Sequence, residues 1–165
     1  MELMDLQFLF RYLHVLSGVM WIGLLWYFNF VQIPTMPSIP DELKPAIGKH
    51  IAPEALFWFR WAAASTLLFG LALAGHLGYL MDALKLGMGG GSVHITMIGI
   101  GMWFGIIMAF NVWFVIWPNQ KIALGMVDAD ADAKAAAARK AMLFSRTNTL
   151  LSIPMLYCML YVGHG

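Results

Sequence analysis

Residues 93–117 read VHITMIGIGMWFGIIMAFNVWFVIW, twenty-five consecutive positions without an Asp, Glu, Lys or Arg. Wound as a helix at about 1.5 Å per residue, this run exceeds the roughly 30 Å of a bilayer's hydrocarbon core. Three further runs share its character, at about 12–31, 56–80 and 143–162. Together they predict an all-α integral membrane protein: a single membrane domain over residues 1–165 that folds as a bundle of four transmembrane helices. Composition points the same way. Hydrophobic residues make up 61% and charged residues 12%, where soluble domains carry about 25% charged residues. That excludes a water-soluble globule, and the 11 Phe, 7 Trp and 13 Met exclude a disordered chain.

Two more composition readings narrow the function. A net charge of +1 gives no general attraction to nucleic acid. The single cysteine, Cys158, cannot close an internal disulfide, build a Cys-rich zinc site or supply the C-x-x-C-H attachment of a c-type haem. Any redox centre must therefore be held by other ligands. The 13 methionines are scattered through the apolar runs as gap-fillers.

The connections carry helix breakers. Five of the seven prolines, Pro34, Pro37, Pro40, Pro45 and Pro53, lie between the first two runs, where PDELKPAIGKH (40–50) predicts a short surface helix. Gly89-Gly90-Gly91 marks a short turn that makes the second and third spans antiparallel neighbours, and Pro118 is expected to end the third. The segment DADADAKAAAARKAMLFSR (128–146) has acids first and bases last around good helix formers. It predicts a water-exposed helix over about 128–142, running into the fourth span. Lys44, Lys49, Arg60, Lys121, Lys134, Arg139, Lys140 and Arg146 fall on one side of the membrane and only Arg11 and Lys85 on the other. Because cytoplasmic loops carry the Lys/Arg excess, both termini are expected outside. No basic region precedes the first apolar run, so a cleaved signal peptide is not expected.

This topology gathers histidines at the outer end: His14 early in span one, His76 late in span two, His94 at the start of span three and His164 beyond span four, with His50 on the inner side. Ionisable groups in a membrane are costly and default to functional candidates. At 100° per residue, Arg11, His14, Gly18, Trp21, Leu25, Asn29 and Gln32 form one stripe of span one. This stripe holds most of the helix's polar residues and should face protein. His94 shares a face with Gly101 and Gly105, a small-xxx-small pair that admits a neighbouring helix or a flat ring, and is expected to face inward. His76 and Arg60 lie about 160° apart on span two. Arg60, the deeper of the two, takes the interior, and His76 becomes the substitute candidate.

Two imidazoles from facing helices can ligate a non-covalently held b-type haem, and Arg11 can pair with a propionate. The alternative is that His14 and His94 are interfacial histidines bonded to backbone or neighbours. At the inner end a second set collects: Asn29, Gln32, Arg60, Asn111, Arg146, Thr147 and Asn148. It can hold an anionic or planar polar ligand, or it can consist of arginines snorkelling to the interface with amides bracing the helices. No acid lies well inside a span, which argues against a carboxylate proton relay. His50 and Glu54, at i and i+4, are too few for a metal site.

The blocks FRYLHVLSGVMWIGLLWYFNFVQIP (10–34), IAPEALFWFRWAA (51–63) and NVWFVIWPNQKIALG (111–125) resemble the membrane domain of the PuuD-type urate hydroxylase family, also called the urate oxidase N-terminal domain family. The likeness runs through nearly the whole chain. The pattern of His14, Trp21, Ile22 and Gly23 is shared with other haem-associated four-span families, whereas the run Phe110 to Gln120 is more specific. The resemblance implies a multi-pass protein of the bacterial inner membrane, its termini then periplasmic, with redox function. Long members couple urate oxidation to a fused cytochrome c; this sequence has no C-x-x-C-H and reads as a short form lacking that domain.

The expected function is therefore a membrane-embedded b-haem redox or electron-transfer protein, with His14 and His94 as axial ligands of the haem iron and His76 as substitute. Arg11, Gly18, Gly101 and Gly105 are expected around the cofactor. A separate cytochrome c or quinone serves as electron donor or acceptor. Two alternatives stand beside it. One is a cofactor-free accessory or structural subunit of a larger membrane complex. The other is a urate-oxidising enzyme with a separate acceptor, its purine cradled by Arg60, Asn29, Asn111, Arg146 and Asn148. Self-association fits any of these, given the lipid-facing surface of a small bundle.

Overall fold

The structure, a computed structural model, describes residues 5–164, with side chains to residue 161. Four long helices and one short one make up the fold: α1 (Leu6–Ser38), α2 (Lys44–His76), α3 (Leu80–Leu84), α4 (Val93–Ala123) and α5 (Ala131–His164). Among the described residues there is no strand. Three helices, α1, α2 and α4, are long and apolar enough to cross a membrane. The polar run Ser145-Arg146-Thr147-Asn148-Thr149 dilutes the apolar character of α5, but Ser145, Asn148, Thr149 and Ser152 are all buried. Their polarity is directed at neighbouring helices rather than at the surface.

Local chemistry sets the helix starts. The Asp5 carboxylate accepts from the Gln7 N–H at 3.1 Å, the Ser92 hydroxyl from the Ile95 N–H at 3.4 Å, and the Asp130 carboxylate from the Ala133 N–H at 2.7 Å. Each satisfies an amide that the first helical turn leaves free.

The prolines do not end the helices as the sequence predicts. α1 continues through Pro34, α2 runs from Lys44 through Pro45 and Pro53, and α4 continues through Pro118 to Ala123. Three of these prolines stand two residues past the end of a π-helical segment: Tyr27–Gln32, Ile47–Ile51 and Asn111–Ile116. In each, the residue before the proline bonds five positions back, Ile33 N–H to Phe28 O, Ala52 N–H to Ile47 O and Trp117 N–H to Val112 O. A proline lacks the N–H of the regular ladder, and its ring clashes with the carbonyl four residues back. The wider π turn relieves that clash and carries the helix on.

Cross-helix contacts fix the topology. Phe28 packs edge-on to Phe59 (5.9 Å between centroids) while His14 meets Thr66, so α1 and α2 are antiparallel. Asn111 meets Asn148 and Gly101 meets Cys158, so α4 and α5 are antiparallel too. The two hairpins join through Trp61–Trp113 (5.5 Å) between α2 and α4, and through Asn29–Ser145 and Trp26–Ser152 between α1 and α5. The result is an up-down-up-down bundle whose core is Trp21, Leu25 and Phe28 against Leu56, Phe59, Ala63, Met108, Val112 and Ile116. Lipid tails are as apolar as these side chains, so close backbone approach and interhelical hydrogen bonds must supply much of the stabilisation. Gly99 shows how close the approach is: a Cβ there would run into the Ala83 carbonyl of α3.

One sequence feature has a structural counterpart. The pattern M-W-x-G-x4-F-N occurs at Met20–Asn29 and again at Met102–Asn111, within the first long helix of each hairpin. Both asparagines turn inward and bond to α5, yet Trp21 is buried and Trp103 exposed. The two halves thus share a sequence pattern but not a rotation about the helix axis.

Candidate functional site

At the end of the bundle where α1 begins, His14 is half-buried against α2. Its Nδ1 lies 2.8 Å from the Thr66 carbonyl oxygen. A carbonyl only accepts, so the neutral ring carries its proton on Nδ1 and keeps an unshared pair on Nε2. Gly70 makes the position possible: a Cβ there would lie 2.8 Å from both Cε1 and Nδ1 of the ring. The Thr66 hydroxyl donates to the Ala62 carbonyl at 2.7 Å and so stays out of the way of the imidazole.

The other outer residues have different surroundings. His94 is exposed rather than turned inward as the face it shares with the two glycines predicts, because it stands in the first turn of α4 at the end of the bundle, its ring 5.6 Å from that of Tyr161 on α5. His76 is exposed and edge-on to Phe10 at 6.2 Å. Arg11 is exposed near Tyr79, whose hydroxyl is pushed above its ordinary value by burial while the Arg11 charge draws it down. Gly18 sits opposite the Thr66 methyl, where a Cβ would make an ordinary 3.8 Å contact. The small pair on α4 serves helix packing. Gly101 is buried against Cys158 and Met159, where a Cβ would lie 3.1 Å from each, and Gly105 faces Leu67. The His164 side chain is outside the described ones. No group of three or more His, Cys, Asp or Glu side chains that could hold a metal occurs among the described residues.

At the opposite end the polar residues divide into two kinds. Asn111 donates to Asn148 Oδ1 at 2.9 Å, Asn148 donates to the Met108 carbonyl at 2.9 Å, and Asn29 donates to Ser145 Oγ at 2.8 Å. These pairs tie α1 and α4 to α5, and Asn148 is fully buried. Arg146 is exposed and takes no part. Arg60 is different: it is buried, its guanidinium carbon stands 3.4 Å above the centroid of the Trp117 ring, and its Nη1 has no hydrogen-bond partner. Buried and unpartnered as well are Asn29 Oδ1, Gln32 Oε1 and Gln120 Oε1. The sequence reading placed Gln32 in the inner polar set but gave no site role to Trp117, Gln120, Thr66, Gly70 or Tyr161. Only the run W-P-N-Q (117–120), polar residues directly after a membrane span, signalled two of these.

With the geometry in place, comparison with known proteins gives one match. The model of the family described as Urate oxidase N-terminal matches residues 91–164, somewhat less than half of the chain, in agreement with the resemblance read from the sequence. The matched segment holds α4 and α5 with His94, Gly101, Gly105, Asn111, Trp117, Gln120 and Asn148; His14 and Arg60 lie outside it. No curated protein and no solved structure matches. The described residues are thus all-helical, with three helices long and apolar enough to cross a membrane, and residues 91–164 are similar to the Urate oxidase N-terminal family.

Proposed function

We propose that this chain is a membrane-embedded b-haem redox or electron-transfer protein of the bacterial inner membrane. In this reading all four long helices cross the bilayer and both termini lie on the periplasmic side, as the Lys/Arg distribution favours. The observation that carries the reading is the setting of His14. An axial histidine is held by donating its second ring N–H to a backbone carbonyl, which fixes tautomer and orientation and makes the free nitrogen a better donor. His14 has this arrangement: Nδ1 on Thr66 O, a ring seated where only glycine leaves room, and Nε2 free of protein hydrogen bonds.

His94, whose exposed imidazole makes no hydrogen bond among the described residues, supplies the second ligand in this reading, with His76 as its substitute. Bound there, a b-type haem supplies one-electron exchange at the iron. The chain's own part would be to hold the group: His14 and His94 would ligate the iron, and Arg11 would offer a guanidinium to a propionate. The exposed Tyr161 lies beside His94. In this reading a separate cytochrome c or quinone would serve as electron donor or acceptor.

The test is haem content per polypeptide, measured as the pyridine haemochrome of protein purified after expression with adequate haem. Stoichiometric haem b in the wild type, lost in His14→Ala and in His94→Ala, agrees with the proposal. Folded wild-type protein without haem, or haem retained in full by His14→Ala, overturns it.

A further inference from the structure

The outer face of the first hairpin is not fully packed. Val19, Met20, Gly23 and Leu24 of α1 and Ala55 and Trp58 of α2 line an open groove of about 380 Å³. Gly23 is exposed, and a Cβ on it would meet nothing within 4 Å. Its counterpart in the repeated pattern, Gly105 of α4, is buried and faces Leu67 of α2. The same pattern position is therefore covered in one hairpin and left open in the other. In a bilayer an acyl chain can lie in such an opening, but tails are alike in their apolar character. Any choice among lipids has to come from the rim.

The rim carries an acid. Glu54 precedes Ala55, and its carboxylate accepts from Trp58 Nε1 at 2.9 Å, so the negative charge is held against the indole that lines the groove. Glu54 stands two residues before the apolar run 56–80, the depth at which headgroups meet hydrocarbon and tryptophan collects. It is exposed and has no basic partner. Lys44 pairs with Asp41, the one ion pair among the described residues, and neither Lys49 nor His50, four residues before Glu54, forms one with it. Arg60 is buried, its guanidinium over the Trp117 ring. A carboxylate offers about four acceptor positions, of which Trp58 takes one. Beside hydrocarbon its attraction for a cation exceeds that of a carboxylate in bulk water.

We propose that this groove binds a phospholipid whose headgroup ends in a primary ammonium: an acyl chain lies over Gly23, and the ammonium donates to the Glu54 carboxylate beside Trp58. The ammonium makes a charge-assisted hydrogen bond, and the indole face adds a cation–π attraction. A trimethylated ammonium keeps the positive charge but has no N–H to donate, and an anionic headgroup is repelled by the acid. The site is independent of the haem reading and requires only that α1 and α2 cross a bilayer.

Native mass spectrometry of the full chain, titrated with phosphatidylethanolamine, phosphatidylcholine and phosphatidylglycerol of identical acyl chains, measures the affinity of the first lipid bound. The wild type should hold phosphatidylethanolamine about threefold or more tighter than either of the others, the scale of one partly exposed charge pair. Glu54→Gln still accepts from Trp58 and should remove that preference. Gly23→Leu sends a side chain into open space, so its circular dichroism should match wild type while all three lipids bind about threefold or more weakly. Equal affinity of the wild type for phosphatidylethanolamine and phosphatidylcholine overturns the proposal. So does a preference that survives Glu54→Gln, or affinities left unchanged by Gly23→Leu. Lipid-free wild-type dimers that Gly23→Leu dissociates would identify the occupant as a second copy of the chain and overturn it as well.

Discussion

Gly70→Ala probes the seating of His14 directly. A Cβ on residue 70 would stand 2.8 Å from Cε1 and Nδ1 of the imidazole, whereas ordinary carbon contacts are about 3.5–4.0 Å. The ring must therefore retreat by roughly 1 Å, enough to open its 2.8 Å hydrogen bond to the Thr66 carbonyl. Losing that bond costs about 0.5–1.5 kcal/mol, and overpacking between two helix backbones adds about 1–3 kcal/mol. Alanine returns about 1 kcal/mol of helix propensity. The balance is a net destabilisation of roughly 1–3 kcal/mol. Gly18→Ala is the control across the same interface: its Cβ meets the Thr66 methyl at 3.8 Å, an ordinary contact, so only the propensity gain remains. Reversible unfolding in mixed detergent, followed by circular dichroism, measures both. Stability of Gly70→Ala equal to that of Gly18→Ala would refute the packing argument, and with it the claim that residue 70 positions His14.

Asn148→Ala leaves the Asn111 amide and the Met108 carbonyl buried without partners, a cost of roughly 2–4 kcal/mol; a double-mutant cycle with Asn111→Ala should show coupling on the order of 1 kcal/mol. Gly99→Ala sets a Cβ against the Ala83 carbonyl, a backbone obstacle that cannot rotate away. Hydrogen exchange should show α3 losing protection while α1 and α2 keep theirs. The Tyr79 hydroxyl is raised above 10.0, first by burial, with Arg11 opposing. An acid held in its neutral form more firmly by the fold contributes stability below its unfolded value and loses it as pH rises through the folded one. Wild type should therefore weaken above about pH 10 more steeply than Tyr79→Phe, in unfolding followed across that range.

The membrane class was legible because it rests on unbroken apolar length, which residues 93–117 display without any knowledge of neighbours. Arg60 was assigned to the interior and His76 away from it by helical angle and depth together, and they stand buried and exposed. Pro118 misled because a proline's local effect is to stop a helix, while the remedy, a π turn at Asn111–Ile116, depends on the five residues before it and on what packs around them. The partners of the site residues were beyond reach for a similar reason. Thr66 offers His14 a backbone carbonyl, Gly70 offers it an absence of side chain, and Trp117 meets Arg60 from another helix. Which partner each of these meets is set by tertiary packing, which residue type alone does not specify. Asn111 and Asn148 were grouped with Arg60 by depth, yet Asn111 donates to Asn148 and Asn148 to the Met108 carbonyl.

The most direct measurement is the low-temperature electron paramagnetic resonance spectrum of the oxidised, purified protein beside His14→Ala and Gly70→Ala. A low-spin ferric haem signal from two imidazole ligands in the wild type, converted to high spin or lost in His14→Ala and altered in Gly70→Ala, is the predicted result. A haem signal identical in all three proteins, or a folded wild type with none, would contradict His14 as an axial ligand.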